Sequence, residues 1–166
     1  MSNYFEPQDS FIEISTHHFA RVLFNDTLQQ HGLFALETFN VGDIICNFSA
    51  KETHTQPNFL TIQVSAQQHI SLFPEFLKYT NHSCEPNVFF NTENMNLIAI
   101  KEIKINDELC FFYPSTELSM SQPFDCNCGT SGCLKIIKGA TFLPNSVLHN
   151  YQLNSFVKNE ISKQQD

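Results

Sequence analysis

The stretch KYTNHSCEPN, residues 78–87, places two asparagines, a histidine and a cysteine close together in the chain. An Asn-His pair by itself is typical of a turn, and Asn87 after Pro86 is expected to make a turn hydrogen bond. The cysteine is less easily explained, because unpaired cysteines are usually buried as small apolar side chains rather than placed in polar stretches. Cys84 therefore has to be considered together with the other cysteines of the chain.

A second cysteine-rich stretch, FDCNCGTSGCLK, follows at residues 124–135. Its C-x-C-x4-C spacing is formed by Cys126, Cys128 and Cys133. Three thiolates so spaced can occupy three corners of a tetrahedral zinc site, and a structural site needs a fourth ligand. Cys46 and Cys110 lie in apolar runs, which makes Cys84 the best candidate. Zinc is favoured over a disulfide or free thiols, because a reducing compartment is expected.

The composition indicates one domain with appendages. Of the 166 residues, 42% are hydrophobic and 17 are phenylalanine, which is enough for one sizeable core. The formal net charge of −8 repels a phosphate backbone and attracts basic peptides, so nucleic acid is not expected as a direct ligand. The first residues predict neither a signal peptide nor a membrane segment. A cytoplasmic protein is expected, with a nuclear location or delivery to a host cell as alternatives.

Short runs of β-branched and aromatic residues, separated by polar turns, predict a β-dominated fold of several small sheets. The clearest turn signals are NVGD at 40–43 and KIND at 104–107. The C-terminal stretch 144–163 has apolar residues at helical spacing, and Asn154 could interrupt or recap the helix. This segment is expected either to cover a sheet face or to cap a ligand site.

Three stretches in order resemble the motifs of the SET domain family: HGLFALETFNVGDII at 31–45, NHSCEPN at 81–87 and INDELCFFY at 105–113. The cysteine stretch resembles the post-SET zinc module, in which the family supplies the fourth ligand from its central motif, here Cys84. The resemblance covers residues 19–138. It implies a mainly β SET fold of several small sheets with a knot-like C-terminal segment, a post-SET zinc loop and a C-terminal helix.

The resemblance also implies boundaries within the chain. These are an N-terminal leader strand at 1–18, the SET domain at 19–114, the post-SET zinc module at 122–138 and the C-terminal helical segment at 144–163.

Members of this family transfer methyl groups from S-adenosylmethionine to lysine side chains. The resemblance implies that Tyr113 is the catalytic residue, with its hydroxyl near the transferring methyl. The residues expected to bind the cofactor are His31, Gly32, Leu33, Tyr79, Asn81, His82, Tyr113 and Phe124. Asn81 would act through its side-chain amide and His82 largely through its backbone. Tyr79 and Phe124 have core packing as an equally weighted alternative.

Phe111 lies two residues before Tyr113, so if ELCFFY is a strand both side chains project from one face. Phe111 would then line the lysine channel. A phenylalanine at this place in the family leaves room for a second and third methyl. Two departures from the family pattern are Gln30, where a glycine is common, and Phe112, where an acidic residue is common. The region 49–77, in which family members usually determine substrate choice, is short.

The expected function is that of an S-adenosylmethionine-dependent protein-lysine N-methyltransferase, di- or trimethylating, with a histone or another basic protein as substrate. The main alternative is a SET-fold module without strong activity that binds basic peptides. A third is a small zinc-stabilised structural protein. The sequence leaves the oligomeric state open. Four histidines have no partner pattern and are expected to pack in the core or lie on the surface: His17, His18, His54 and His69.

Overall fold

The computed structural model of the protein describes residues 10–164. Within them the chain is mainly β, as the sequence predicted. The strands are β1 Phe11–Thr16, β2 Ala20–Asn25, β3 Gln30–Ala35, β4 Ile44–Asn47, β5 Ser49–His54, β6 Thr61–Ser65, β7 Gln68–Phe73, β8 Asn81–His82, β9 Val88–Asn91, β10 Asn96–Ala99, β11 Cys110–Phe111, β12 Phe124–Asp125 and β13 Ile136–Ile137. They form five small sheets: β1-β2-β3, β4-β10-β9, β5-β7-β6, β8-β11 and β12-β13.

The expected leader contains a strand. Strand β1 pairs antiparallel with β2, from Phe11 opposite Asn25 to Thr16 opposite Arg21. The rest of the expected leader, residues 1–9, lies outside the described residues. In the same sheet β2 pairs with β3, which presents His31 and Gly32 beside Phe24 and Leu23. The sheet therefore fixes the first of the three SET-like stretches.

The sheet β5-β7-β6 is built on the region that the sequence left most open. Strand β5 has the sequence SAKETH, which lacks the alternation of apolar and polar residues that marks a strand, and it is exposed along most of its length. It forms by pairing with the apolar β7, where Thr53 lies opposite Ile70 and His54 opposite His69. On the other side of β7, Gln63 of β6 also faces His69. His54, His69 and Gln63 thus lie side by side across one face.

A short parallel pair joins the second and third SET-like stretches. Cys110 lies opposite Asn81 and Phe111 opposite His82. The side chain of Asn87 holds the same junction, since its Nδ2 donates to the Glu108 carbonyl at 2.8 Å and its Oδ1 accepts the Cys110 N–H at 2.8 Å. The turn hydrogen bond expected of Asn87 is therefore replaced by a clamp between distant segments.

The expectation that ELCFFY is one strand is wrong beyond Phe111. After β11 the backbone enters a 3-10 helix at Tyr113–Ser115, with Pro114 in its first turn. Phe112 consequently leaves the main core and stacks on Tyr151, with ring centroids 3.6 Å apart. Phe111 stays in the main core against Phe90.

The C-terminal segment forms two helices, α1 Asn145–Leu148 and α2 Ser155–Lys163, which are separated by residues 149–154; Asn154 directly precedes α2. Asn154 is 2% exposed and links three segments. Its Nδ2 donates to the carbonyls of Phe90 and Ser115 at 2.9 Å, and its Oδ1 accepts the Thr92 N–H at 2.9 Å. Leaving such buried groups unpaired costs about 1–3 kcal/mol each, so Asn154 anchors the segment behind the Tyr113 turn.

In the described part of the chain, no helix has both the length and the apolar character needed to span a membrane.

Candidate active site

The side chain of Asn81 ties the first and third SET-like stretches to the second. Its Nδ2 donates to the His31 carbonyl at 2.7 Å and to Glu108 Oε1 at 2.8 Å. A side-chain amide nitrogen carries two hydrogens, and both are used here. Only Oδ1 of Asn81 is left to face a ligand, so the side chain orients the neighbouring backbone and offers an acceptor rather than a donor.

Glu108 is a site residue that the sequence reasoning missed. Its Oε1 occupies the space beside Gly32, where an added Cβ would lie 2.7 Å from that oxygen and 2.8 Å from the Phe34 ring. Burial raises the pKa of the Glu108 carboxyl, and the hydrogen bond from Asn81 opposes this rise. Gly32 therefore leaves room for the close approach of the Glu108 carboxyl. The only sequence feature that could have indicated Glu108 is its position as an acidic residue between the turn at 104–107 and the apolar run that follows.

We expect Gly32→Ala to destabilise the fold by about 1 kcal/mol, because the new methyl must displace the Glu108 carboxyl and disturb its hydrogen bond from Asn81. Gly132→Ala is the matched control, since a Cβ there meets nothing within 4 Å. Thermal unfolding of the two variants measures the difference in stability. Equal behaviour of the two variants would contradict this role of Gly32.

Tyr113 lies within a group of aromatic rings. The centroid of its ring is 4.6 Å from that of Phe111, 5.2 Å from that of His82 and 5.8 Å from that of Phe124. The Tyr113 hydroxyl donates to the Thr80 carbonyl at 3.4 Å, which directs it into the space between these segments. Burial, followed by the nearby Cys110 and Glu108, raises the pKa of this hydroxyl. Tyr113 therefore acts as a neutral hydrogen-bonding group at physiological pH.

The ring of His82 connects Tyr113 to the cysteine cluster. Its Nδ1 accepts the backbone N–H of Tyr113 at 3.2 Å, and its Nε2 lies 3.4 Å from Cys84 Sγ. Burial lowers the pKa of His82 to about 4. The ring is therefore neutral near pH 7, and because Nδ1 is an acceptor, the proton resides on Nε2 and faces the Cys84 sulfur.

Four cysteine sulfurs, those of Cys84, Cys126, Cys128 and Cys133, lie within 4.8 Å of one another. The Sγ atoms of Cys84 and Cys126 are 3.9 Å apart. A tetrahedral site with Zn–S bonds of about 2.3 Å requires sulfurs about 3.8 Å apart, so the cluster could hold a metal ion of this size. The Leu134 N–H also points at Cys84 Sγ at 3.3 Å, as a donor to a thiolate would.

The remaining predicted residues divide between the site and the core. His31 and Tyr79 lie together, with ring centroids 4.9 Å apart, at the end of the site marked by Asn81. Phe124 packs 5.7 Å from His82 at the other end. Leu33 is fully buried, and its carbonyl accepts the Leu109 N–H at 2.7 Å. The Leu33 side chain thus belongs to the core, and the prediction for Leu33 concerns its backbone, which lies in β3 next to Gly32.

A pocket opens beside Tyr113. Its wall includes Phe111, Tyr113, Thr80, Leu77, Met120 and Glu117. Most of these groups are apolar or aromatic, and the Glu117 carboxyl is the acidic exception. Lys78 also lines the wall, so the pocket is mainly apolar and carries one carboxyl and one amino group.

The comparisons with known proteins agree with this arrangement. The SET domain family matches residues 30–114. The chain is similar to "Methyltransferase flvH" of Aspergillus flavus, with 38% identity over 117 residues, which is 69% of this chain. The chain spans 62% of that relative's length. Because the family match covers more than half of the chain and includes Asn81, His82 and Tyr113, the chain belongs to the SET domain family.

Proposed function

We propose that this protein is an S-adenosylmethionine-dependent protein-lysine N-methyltransferase. The observation that supports the proposal best is the position of Tyr113. Its ring lines the apolar pocket together with Phe111, and its backbone is bonded to the ring of His82, next to Asn81. A pocket for an alkyl amine thus adjoins the motif by which SET proteins hold their cofactor.

S-adenosylmethionine, when bound, would supply a methyl group attached to a sulfonium sulfur, and this sulfur would become a neutral thioether when the methyl group is transferred. The residues that fit its binding are Gly32, Asn81 and His82, with the rings of Tyr79 and Phe124 at the two ends. Asn81 Oδ1 and the backbone of β8 offer the polar contacts. These residues hold and orient the cofactor against the pocket.

The pocket residues act on the amine. At the reference pKa of lysine, about one amine in 10³ is neutral at pH 7, and only the neutral amine is nucleophilic. Phe111 and Leu77 surround the lysine chain with apolar surface, which disfavours the ammonium. The Tyr113 hydroxyl and the Thr80 carbonyl, 3.4 Å apart, both lie in residues of the pocket wall, where they can orient the amine.

Zinc is the proposed occupant of the cysteine cluster. Four sulfur ligands are typical of structural zinc, and no oxygen or nitrogen ligand is needed to complete the site. The ion would join β8 to the segment 122–138, so that Phe124 is held against His82 and Tyr113. Its contribution is therefore structural, by closing one wall of the site.

The substrate is proposed to be a lysine in a basic protein or peptide, because the chain carries a net charge of −8. Incubation with tritiated S-adenosylmethionine and histones or cell-lysate proteins tests this. Label in basic proteins supports the enzyme. Peptide binding without label favours the alternative of a binding module. If neither labelling nor peptide binding is found, the interpretation as a structural zinc protein remains.

We expect Phe111→Tyr to shift the products toward monomethyl-lysine, with little change in the first transfer. Phe111 lies against Tyr113 in the pocket, and a second hydroxyl there would hold the amine or a water molecule and oppose its turning. The wild type should make di- or trimethyl-lysine. Mass spectrometry of the product peptide measures the distribution, and monomethyl product alone from the wild type under excess cofactor would contradict the proposal.

A further inference from the structure

Two titratable side chains beside the pocket take no part in the proposed mechanism. Glu117 and His69 are each 7% exposed at the side chain, and Glu117 Oε2 lies 3.9 Å from His69 Nδ1. A carboxyl group and an imidazole are rarely buried together without a role or a full set of partners. No sequence pattern indicated the pair, because His69 was expected to pack in the core or lie on the surface.

The partners of Glu117 hold one carboxyl oxygen and leave the other without a hydrogen bond. Oε1 accepts the Gln63 N–H at 2.8 Å and the Thr116 hydroxyl at 3.3 Å. Oε2 faces His69 Nδ1, and this nitrogen is buried without a hydrogen-bond partner among the described residues. The separation of 3.9 Å is longer than a hydrogen bond but short enough to close by a side-chain rotation.

The backbone places Glu117 next to the catalytic candidate. The Glu117 N–H donates to the Tyr113 carbonyl at 3.0 Å, so both residues belong to one turn. Both also contribute to the pocket wall. A proton released from an amine in this pocket therefore has a carboxyl group within the same wall to receive it.

From His69 a row of titratable groups continues to the surface. His54 of β5 is the cross-strand partner of His69 of β7. The His54 side chain is 30% exposed, and its Nε2 lies 3.8 Å from Glu52 Oε2. Glu52 itself is 66% exposed at the side chain. Exposure thus increases stepwise from Glu117 and His69 through His54 to Glu52.

We propose that this row, Glu117, His69, His54 and Glu52, is a proton exit path, in which Glu117 removes the proton from the substrate ammonium. The proposal rests on the proposed function and adds the base to it. The N–H bond of the ammonium breaks, its electron pair stays on nitrogen, and the proton forms an O–H bond with the Glu117 carboxylate. The proton then passes to His69 Nδ1 and onward to solvent. One proton is released for each methyl group transferred.

The protonation states allow this transfer. Burial raises the pKa of Glu117 to about 7, against the hydrogen bonds from Gln63 and Thr116, so the carboxylate form, which can take up a proton, increases through neutral pH. Burial lowers the pKa of His69, and His54 lowers it further, so His69 is neutral near pH 7 and acts as a transient carrier of the proton rather than as its final acceptor.

The titratable groups around Glu117 come from each neighbouring element. They are His69 from β7 with His54 behind it, Tyr113 from the preceding turn and Lys78 in the pocket wall. The segment that begins at Ala140 contributes only a backbone N–H, to the Glu117 carbonyl. The pKa of Glu117 is governed by its burial and by the hydrogen bonds from Gln63 and Thr116.

The test compares Glu117→Gln with the wild type in methyl transfer to a basic lysine peptide from pH 6.5 to 10. Glutamine can still accept the Gln63 N–H, so the fold should be kept, while proton removal is lost. We expect kcat to fall about 10²-fold at pH 7, the usual scale for a general base. The gap should narrow to a few-fold near pH 10, where the amine deprotonates in solution. For His69→Asn we expect kcat to fall about tenfold at pH 7, with the difference from the wild type again narrowing toward pH 10.

His18→Gln is the matched control, because His18 also lies near a carboxylate, Glu37, at 3.5 Å, but is 91% exposed. It should leave kcat and its pH profile unchanged. Calorimetric cofactor binding and thermal unfolding verify that each variant is folded. A folded Glu117→Gln enzyme with the wild-type profile, or with an equal loss at every pH, would overturn the proton path while leaving the methyltransferase intact. No transfer by the wild type at any pH would overturn both.

Discussion

The Tyr113→Phe variant is expected to fold, to bind S-adenosylmethionine and to lose at least about 10²-fold in kcat. The substitution removes only the hydroxyl that donates to the Thr80 carbonyl, while the ring can keep its contacts with Phe111, His82 and Phe124. An interaction made chiefly in the transition state appears in kcat rather than in binding. Single-turnover kinetics and calorimetric cofactor titration separate the two effects.

Tyr151→Phe provides a contrast. Its hydroxyl donates to the Cys84 carbonyl at 2.9 Å, outside the pocket wall, and its ring stacks on Phe112. The loss of one partly buried hydrogen bond should cost about 1 kcal/mol of unfolding free energy, so this variant should lose stability before turnover. If Tyr113→Phe retained activity within a few-fold of the wild type, its assignment as the catalytic residue would be wrong.

Loss of the metal should abolish activity by a different route. In Cys84→Ser the cluster keeps three sulfurs, and the link between β8 and the segment 122–138 is broken. Structural zinc contributes on the order of 10 kcal/mol in small zinc domains, so that segment should become disordered. Phe124 would then no longer pack against His82 and Tyr113, and both cofactor affinity and turnover should be lost.

Metal content by atomic spectroscopy checks this, together with amide hydrogen exchange over residues 122–138. Cys46→Ala is the control, since Cys46 lies in β4 outside the cluster, and it should keep one metal ion for each chain. A strong chelator should reproduce the effect of Cys84→Ser in the wild type. Wild-type protein without zinc, or Cys84→Ser protein with a full complement, would contradict the proposed site.

The sequence was most informative where chemistry restricts the choice of residue. A zinc site formed by three closely spaced cysteines requires a fourth ligand, and Cys84 was the candidate because it lies in a polar stretch. The structure places the Cys84 sulfur 3.9 Å from that of Cys126. The motifs around Asn81 and Tyr113 predicted the family, and the family match confirms it. The mainly β fold followed from the spacing of apolar runs and is confirmed as well.

Contacts between segments far apart in the chain could not be predicted. Nothing in the sequence pairs Glu108 with Gly32, because the contact depends on the way β3 and the turn before β11 pack together. His69 and Glu117 meet only because β7 lies beneath the Tyr113 turn, and neither residue has a local pattern. Strand β5 was missed for a similar reason, since pairing with β7 overrides its polar composition.

The proposed function is tested most directly by identifying the methylated atom. Wild-type protein is incubated with S-adenosylmethionine carrying a deuterated methyl group and with a mixture of basic proteins, and the products are analysed by tandem mass spectrometry. We expect deuterated methyl groups on lysine Nζ, two or three on each modified lysine, and their absence with Tyr113→Phe. No labelled lysine from a protein that binds the cofactor, or label on other side chains alone, would contradict a protein-lysine methyltransferase.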